Sequence, residues 1–383
     1  MLRIVLSLLF LAIATPALAQ TSAELCDQYA GHPWEPGHQG RGVEWSQVLP
    51  GPAIRACREA LAEAPDAPEI LYRLGRTLMQ IKSYEEGLAL MLQSAQAGYP
   101  PAETAYGTAY MQADGVANNY RVALEWLTKA SAHGHVIGTN NLAMLYDTGQ
   151  GVAPDPLAAR TLFTRAAEAG YPLAMYNLAL GHEYPKIGEP NYAASFDWHS
   201  KAVAAGHIPA IRGVARAYDN GRGVPKDTTE ALVWWLKGAE AGDPVAQSQA
   251  GIAYNAGRGT KEDLVAAEKW LRAAAEQNYS RGYFYLGQFL MQTKKGEEFY
   301  EGMRWLERAG AYGELEANIE LARYYALTGD LVPARKYAQV VLNFGDNDLK
   351  RQAQELLMLI ESLELQTDIR RFDGQPFKSS DEG

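Results

Sequence analysis

Residues 208–220, IPAIRGVARAYDN, place apolar side chains at Ile211, Val214, Ala215 and Tyr218, one stripe of an α-helix. Residues 228–241, TTEALVWWLKGAEA, repeat the pattern with Ala231, Trp234, Trp235, Gly238 and Ala239. The joint between them, GRGVPKD, is polar and rich in glycine. Gly221 and Gly223 suit the left-handed conformation that ends a helix. Pro225 cannot continue one. Asp227 stands at an N-cap, and Glu230 three residues on makes a pair like a capping box. A glycine-rich loop before a helix can also cradle a phosphate, but that loop follows a strand and usually ends in Lys-Ser or Lys-Thr. No strand pattern precedes any copy of this joint. The pattern predicts two helices and a turn.

The same grammar recurs. Gly98, Gly134, Gly170, Gly206 and Gly242 each close an AxAGx-like phrase, in steps of 36 residues. Trp126, Leu162, Trp198, Trp234 and Trp270 keep that step, and Trp305 follows one residue short. So do the pairs Tyr106-Gly107, Leu142-Ala143, Leu178-Ala179, Val214-Ala215, Ala250-Gly251 and Leu286-Gly287. A hairpin of this size cannot bury its own apolar face, so a fixed period implies stacked units sharing one core. The predicted fold is all-α: an α-solenoid, a right-handed superhelix of helix-hairpin repeats.

Helix A carries a small residue and an aromatic (AETAYGTAY, 102–110). The joint reads GxGV at 149–152 and 221–224, helix B opens on AxxW at 123–126 and 267–270, and the unit closes on AxxG followed by His, Tyr or Asp. On these residues the chain resembles the Sel-one-like repeat family, a subclass of tetratricopeptide-like repeats. The resemblance covers 99–313 as six units. Residues 65–98 and 314–345 look like plain tetratricopeptide hairpins, and 346–366 reads as a capping helix with Ala353, Leu356, Ile360 and Leu363 on one stripe. The third unit (GHEYPKIGEPNY, 181–192) and the sixth (MQTKKGEEFYEG, 291–302) lack the glycine joint.

The ends add a compartment. Residues 1–19 carry one positive charge at Arg3, an apolar run from Ile4 to Ile13 and a small-x-small site at Ala17–Ala19. This is a signal peptide cleaved after Ala19; a retained membrane anchor is the other reading, and the run is short for it. The expected location is periplasmic or secreted. Cleavage leaves 34 basic against 45 acidic residues, a net of −11, which disfavours nucleic acid and anionic membranes. Cys26 and Cys57 are the two cysteines, and an exported chain is expected to join them. That bond would pin the segment 20–64, too rich in glycine and proline to hold itself as one helix. The remainder, 367–383, reads as a loose tail.

Chemistry is sparse. His133 and His135 form an H-x-H that could be a metal pair, yet His135 occupies a repeat-junction slot shared with Tyr99, Tyr171 and His207. His182 and His199 fall in the irregular third unit beside Glu183 and Asp197, a fortuitous site at best. No serine elbow or cysteine–histidine pair is present. Neither metal nor cofactor is expected, nor catalysis. The tryptophan column suits a sugar-binding cage, but its periodicity favours packing.

What remains is the concave face lined by helix A. Thr104, Asn140, Tyr176, Arg212, Ser248 and Phe284 make one column, and Ala105, Asn141, Asn177, Gly213, Gln249 and Tyr285 the next. One turn on lies Arg216, and another turn on lies Asp219. The family resemblance likens Asn141 and Asn177 to asparagines that hold a bound peptide backbone, since an amide both donates and accepts. The other reading is that they bridge neighbouring helices. The peptide groove is assigned to Asn141, Asn177, Tyr176, Arg212, Arg216, Asp219 and Gln249. Related exported repeat proteins regulate signalling proteins or envelope enzymes, so a protein or peptide partner is expected. A peptidoglycan reader using Tyr176, Tyr184 and Trp198 is the rival.

Overall fold

The computed structural model describes residues 20–38 and 42–373, the last seven by their backbone alone. The signal peptide lies outside the described residues. Among these residues all regular structure is helical. The chain is a solenoid of helix hairpins that divides into two compact units, one ending at Met175 and the other beginning at Tyr176.

In the first unit, α1 (Ser22–Ala30) and α2 (Pro50–Glu63) precede three hairpins. These are α3 and α4 (Pro68–Gln80, Tyr84–Gln96), α5 and α6 (Pro100–Gln112, Tyr120–Ala132), and α7 and α8 (Val136–Thr148, Pro156–Glu168). Helix α9 (Pro172–Glu183) carries the boundary. The second unit continues with α10 (Tyr192–Ala204), then α11 and α12 (Ile211–Asn220, Thr228–Glu240), and α13 and α14 (Pro244–Asn255, Leu264–Glu276). It ends with α15 and α16 (Ser280–Thr293, Glu297–Ala311), α17 and α18 (Leu315–Thr328, Leu331–Phe344) and a last helix, α19 (Asn347–Asp373). That helix runs through the start of the segment expected to be a loose tail; residues 374–383 lie outside the described residues.

The expected turn grammar is present. Asn119, Asp155, Asn191, Asp227 and Asp263, one per repeat, each accept a backbone N–H of the following B helix. The capping box at Asp227 is only half made. Glu230 instead accepts the Trp234 indole N–H at 2.9 Å, which the i, i+4 spacing on one helix face favours.

The second joint glycine explains the period. Gly223 has φ +79°, and a Cβ there would fall 2.2 Å from the Tyr192 carbonyl oxygen at the start of α10. At Gly259 a Cβ would meet the Thr228 carbonyl oxygen at 2.1 Å, and at Gly151 the Tyr120 carbonyl oxygen at 2.7 Å. The joint of one hairpin therefore abuts the B-helix start of the hairpin before it. The loop is an inter-repeat contact, and the phosphate reading has no place in it.

The A helices of adjacent hairpins pack side by side, α3 with α5 with α7 and α13 with α15. Each also packs on its own B helix, so B helices form a second layer. The tryptophan column is half-buried between hairpins. Lys129, Lys201 and Lys237 cover the rings of Trp126, Trp198 and Trp234 at 3.9, 4.1 and 3.7 Å. These rings pack and carry a cation over the face.

Cys26 and Cys57 are bonded and fully buried, joining α1 to α2 across a Cα–Cα distance of 4.7 Å. They sit in a cluster with Ala30, Val48, Ala53, Ile70 and Leu74. The bond thus closes the N-terminal segment on itself, and Ile70 and Leu74 of α3 pack the cluster against the first hairpin.

Candidate functional site

Between α1 and α2 the described residues, 31–38 and 42–49, lie outside α-helix, with a 3-10 turn at Trp45–Gln47. This strap crosses the side of α3 that faces away from α4. Helix α3 reads PEILYRLGRTLMQ, with arginines set inside an apolar stretch. Arg76, only 2% exposed, donates to the Ala30 carbonyl at 2.8 Å and the Val43 carbonyl at 2.7 Å. One turn on, Gln80 donates to the Trp45 carbonyl at 2.8 Å. The strap closes on itself where Val43 N–H donates to the Gly31 carbonyl at 2.8 Å. The helix thus recognises backbone groups, which any polypeptide could offer.

One side chain of the strap is recognised as well. Glu35, 3% exposed, accepts from Arg73 Nε at 2.9 Å and from the Tyr99 hydroxyl at 2.9 Å. Arg73 also pairs with Asp27 at 2.7 Å. Asp27, Glu35 and His38 bring ligand atoms within 4.8 Å of one another. The Arg73 guanidinium already supplies the positive charge between the two carboxylates. Trp34 reaches further along and meets the Tyr171 ring edge-on at 5.4 Å.

The buried histidines here are neutral. Burial, then the Arg76 charge, pulls His32 down to about 3, and its Nδ1 accepts the Trp34 N–H. Burial pulls His135 down to about 4, and its Nδ1 meets the Thr104 hydroxyl at 2.7 Å. His133 turns instead to Glu103 at 2.8 Å. The H-x-H pair is therefore not brought together. Between strap and helices there is a cavity of about 520 Å³, walled by Trp45, Tyr72, Met79, Tyr84 and Met91 and touched by Arg76 and Asn141.

The positions assigned from sequence divide by unit. In the first, Asn141 is 8% exposed; its amide donates to the Thr108 hydroxyl at 3.0 Å, and its oxygen accepts from the fully buried Asn140. It thus bridges α7 to α5 while lining the cavity. In the second unit Tyr176, Asn177 and Gln249 are half-buried. Arg212 pairs with Asp243 at 3.3 Å, and Arg216 with Glu183 at 3.5 Å. Asp219 accepts the Trp235 indole N–H at 2.7 Å. Gly213 faces no groove: a Cβ there would fall 2.3 Å from the His199 ring, which is 1% exposed. The Tyr176 ring lies 5.6 Å from His199 and 4.9 Å from His207.

The strap and its anchors Arg73, Arg76 and Gln80 were not among the assigned residues. A usable signal was present. Gly75, Gly107, Gly251 and Gly287 each back onto the partner B helix, so they are equivalent positions. Counted from them, Arg73 belongs to the column of Asn141, Asn177 and Gln249, and Arg76 to the column of Arg216.

The Sel1 repeat model matches residues 69–99, 100–135, 137–171, 172–207, 208–243 and 244–279, more than half of the chain. The chain belongs to the Sel1 repeat family. The Sel1 match starts and stops one hairpin earlier than the six units counted from the period. Among solved structures, this Sel1 chain is similar to c5321, a protective antigen of uropathogenic Escherichia coli with the SLR fold. The two share 22% identity, with a TM-score of 0.63, over 81% of this chain and 71% of that one. It is also similar to a Sel1 repeat protein of Oxalobacter formigenes, at 25% identity and a TM-score of 0.57, over 62% of this chain and 96% of that one. No curated protein matches the sequence. Sel1 and related helical repeats generally mediate protein–protein interaction, and Sel1 scaffolds are generally non-catalytic. Among the described residues no helix is long and apolar enough to cross a membrane.

Proposed function

We propose that this Sel1 protein is an exported, non-catalytic scaffold, periplasmic or secreted, whose A helices hold an extended segment of a partner protein. The observation that carries the reading is the strap: Arg76 and Gln80 grip three backbone carbonyls of the chain's own residues. Backbone carbonyls are common to all polypeptides, and a guanidinium or amide on a stiff helix meets them with little ordering cost. In the second unit Arg216 stands in the register of Arg76, paired with Glu183, and Asn177 and Gln249 stand in that of Arg73. A partner that is an envelope enzyme or signalling protein would be regulated by being held.

The test is a photo-crosslinking residue at position 249, used in an envelope extract. One recurrent protein partner is expected. Asn177→Ala with Gln249→Ala should weaken that partner by about 1–3 kcal/mol, the cost of leaving its backbone groups unpaired. Unchanged affinity in a folded double variant refutes the assignment of these columns. Retention on purified cell wall without protein would favour a peptidoglycan reader instead, and turnover lost on His182→Ala would make the chain an enzyme.

A further inference from the structure

We propose that the cavity between the strap and helices α3, α5 and α7 is a binding site for a small aromatic or apolar acid that carries a hydroxyl or amino group beside its carboxylate. The site differs from the peptide-holding columns of the second unit and does not depend on them.

Four observations converge on this ligand. The cavity measures about 520 Å³, within the roughly 300–1,000 Å³ of ordinary small-molecule sites. Its walls are ring and thioether surfaces from Trp45, Tyr72, Tyr84, Met79 and Met91. Such walls take an aromatic or apolar body, and methionine adapts to its outline. Trp45, 44% exposed, stands at the border with solvent, as do Lys82, Gln112 and Asp114, so a ligand has a way in.

The polar groups define the other end. Arg76 is 2% exposed, and its hydrogen bonds go to two neutral carbonyls. No carboxylate among the described residues forms an ion pair with it. Buried charges are ordinarily paired, because transfer from water is costly. Burial holds the guanidinium below the usual arginine range, more than the Glu35 and Glu44 charges restore. The neighbouring His32 and His135 are neutral and cannot serve as counter-charge or competitor. Arg76 is therefore a buried positive charge of the lining without a carboxylate partner, which an anion would balance, while Lys82 and Asp114 stand exposed at the rim. Nη1 and Nη2 each give one N–H to a strap carbonyl, and the N–H groups left on the guanidinium are the donors for a carboxylate.

The fourth observation asks for a donor. Gln80 gives its amide N–H to the Trp45 carbonyl, which turns its Oε1 the other way. That oxygen is buried and meets no hydrogen-bond donor. Gln80 lies one helical turn from Arg76, so their heads are neighbours. A ligand with its carboxylate on Arg76 and an adjacent O–H or N–H on Gln80 answers both, which is the pattern of an α-hydroxy or α-amino acid.

The experiment is a titration of the mature, disulfide-bonded chain, read by calorimetry and by the fluorescence of Trp45. The probes are 3-phenyllactate, its neutral amide, and 3-phenylpropionate, which lacks the hydroxyl. Saturable binding of 3-phenyllactate is expected. The amide should bind roughly ten- to a hundredfold more weakly, as for loss of a charged hydrogen bond, and the deoxy acid about two- to tenfold more weakly. Arg76→Met should abolish the difference between acid and amide. Because Arg76 also anchors the strap, Ala105→Trp serves as a second variant that fills the cavity without touching a strap bond. It should abolish binding while leaving the melting temperature unchanged. A short peptide ending in phenylalanine separates the sources: tighter binding than the free acid assigns the site to a partner's chain end, weaker binding to a free small molecule. Equal affinity for acid and amide overturns the proposal. So does binding that survives Ala105→Trp, or no saturable binding of any probe at millimolar concentration.

Discussion

Gly223→Ala tests the reading that the joint glycine is a spacer between repeats. Two costs add at this position. Alanine at φ +79° is in the left-handed region, which costs about 1–2 kcal/mol for a residue with a Cβ. The new methyl would also fall 2.2 Å from the Tyr192 carbonyl oxygen. Ordinary carbon–oxygen contact needs about 1 Å more, and the obstacle is backbone at a helix start, so the joint or α10 must move. Overpacking of this kind costs about 1–3 kcal/mol. The sum is about 2–5 kcal/mol. Gly206→Ala supplies the control, because Gly206 has φ +86° with no atom within 4 Å of its Cβ position. That variant carries the backbone cost alone, about 1–2 kcal/mol. The assay is urea unfolding of both variants and the parent, followed by far-ultraviolet circular dichroism, with hydrogen exchange at the start of α10 as a local readout. Gly223→Ala should lower the midpoint about twice as far and should speed exchange at Tyr192–Ala194. Equal midpoints for the two variants, with α10 protected alike, would refute the inter-repeat role and leave Gly223 as a turn residue only.

Mature protein unfolded without reductant should titrate no free thiol, and Cys57→Ser should cost about 3–4 kcal/mol for a loop of this length; two thiols in the parent would end the disulfide assignment. Glu35→Ala should destabilise the first unit by about 3 kcal/mol, because Arg73 and Tyr99 lose a buried partner; limited proteolysis should then cut within residues 31–48, and an uncut strap counts against its anchoring by Glu35. Acid should loosen the same region. His32 and His135 are held down to about 3 and about 4, so the fold favours their neutral forms. Their stability contribution is complete above the ordinary histidine value near 6.5 and is lost as pH falls toward 4 and then 3. At pH 5 each histidine should cost roughly 2 kcal/mol. A urea midpoint equal at pH 7.5 and pH 5, or an unchanged pH dependence in His135→Gln, would contradict this.

The repeat was legible because its determinants are local and recur. Helical spacing, the N-cap residues from Asn119 to Asp263, and a glycine forced by a neighbour's carbonyl all leave marks at fixed distances. The cysteine pair was legible because the chain has two cysteines, which leaves a single pairing. The strap was not. Its contacts join residues 30–45 to residues 73–80 and 99, and no periodicity records a pairing between an irregular segment and one helix. The only mark was Arg73 and Arg76 inside an otherwise apolar helix, which reads as a solvated face until something is seen to cover it. The columns name equivalent positions on successive A helices, and their surroundings vary from hairpin to hairpin. Position 213 carries glycine to admit the His199 ring, whereas position 141 carries an asparagine whose amide is engaged with Thr108. A column fixes where a side chain starts, and its neighbours decide what that side chain can reach.

The strap also divides the labour between repeats. A partner segment seeking the carbonyl-binding heads of α3 must displace a ligand that is covalently attached, and attachment raises the local concentration of that ligand to the millimolar range. Weak segments therefore lose the competition on α3. The equivalent positions on α11 and α13 lie in the second unit, where Arg216 pairs with Glu183 and Gln249 is half-buried. Two outcomes separate these places. A partner that binds the second unit should be indifferent to Glu35→Ala, whereas one that competes for α3 should bind the loosened variant more tightly. The strap is then either a fixed part of the first unit's core or a gate upon it, and the sign of that single affinity change decides between them.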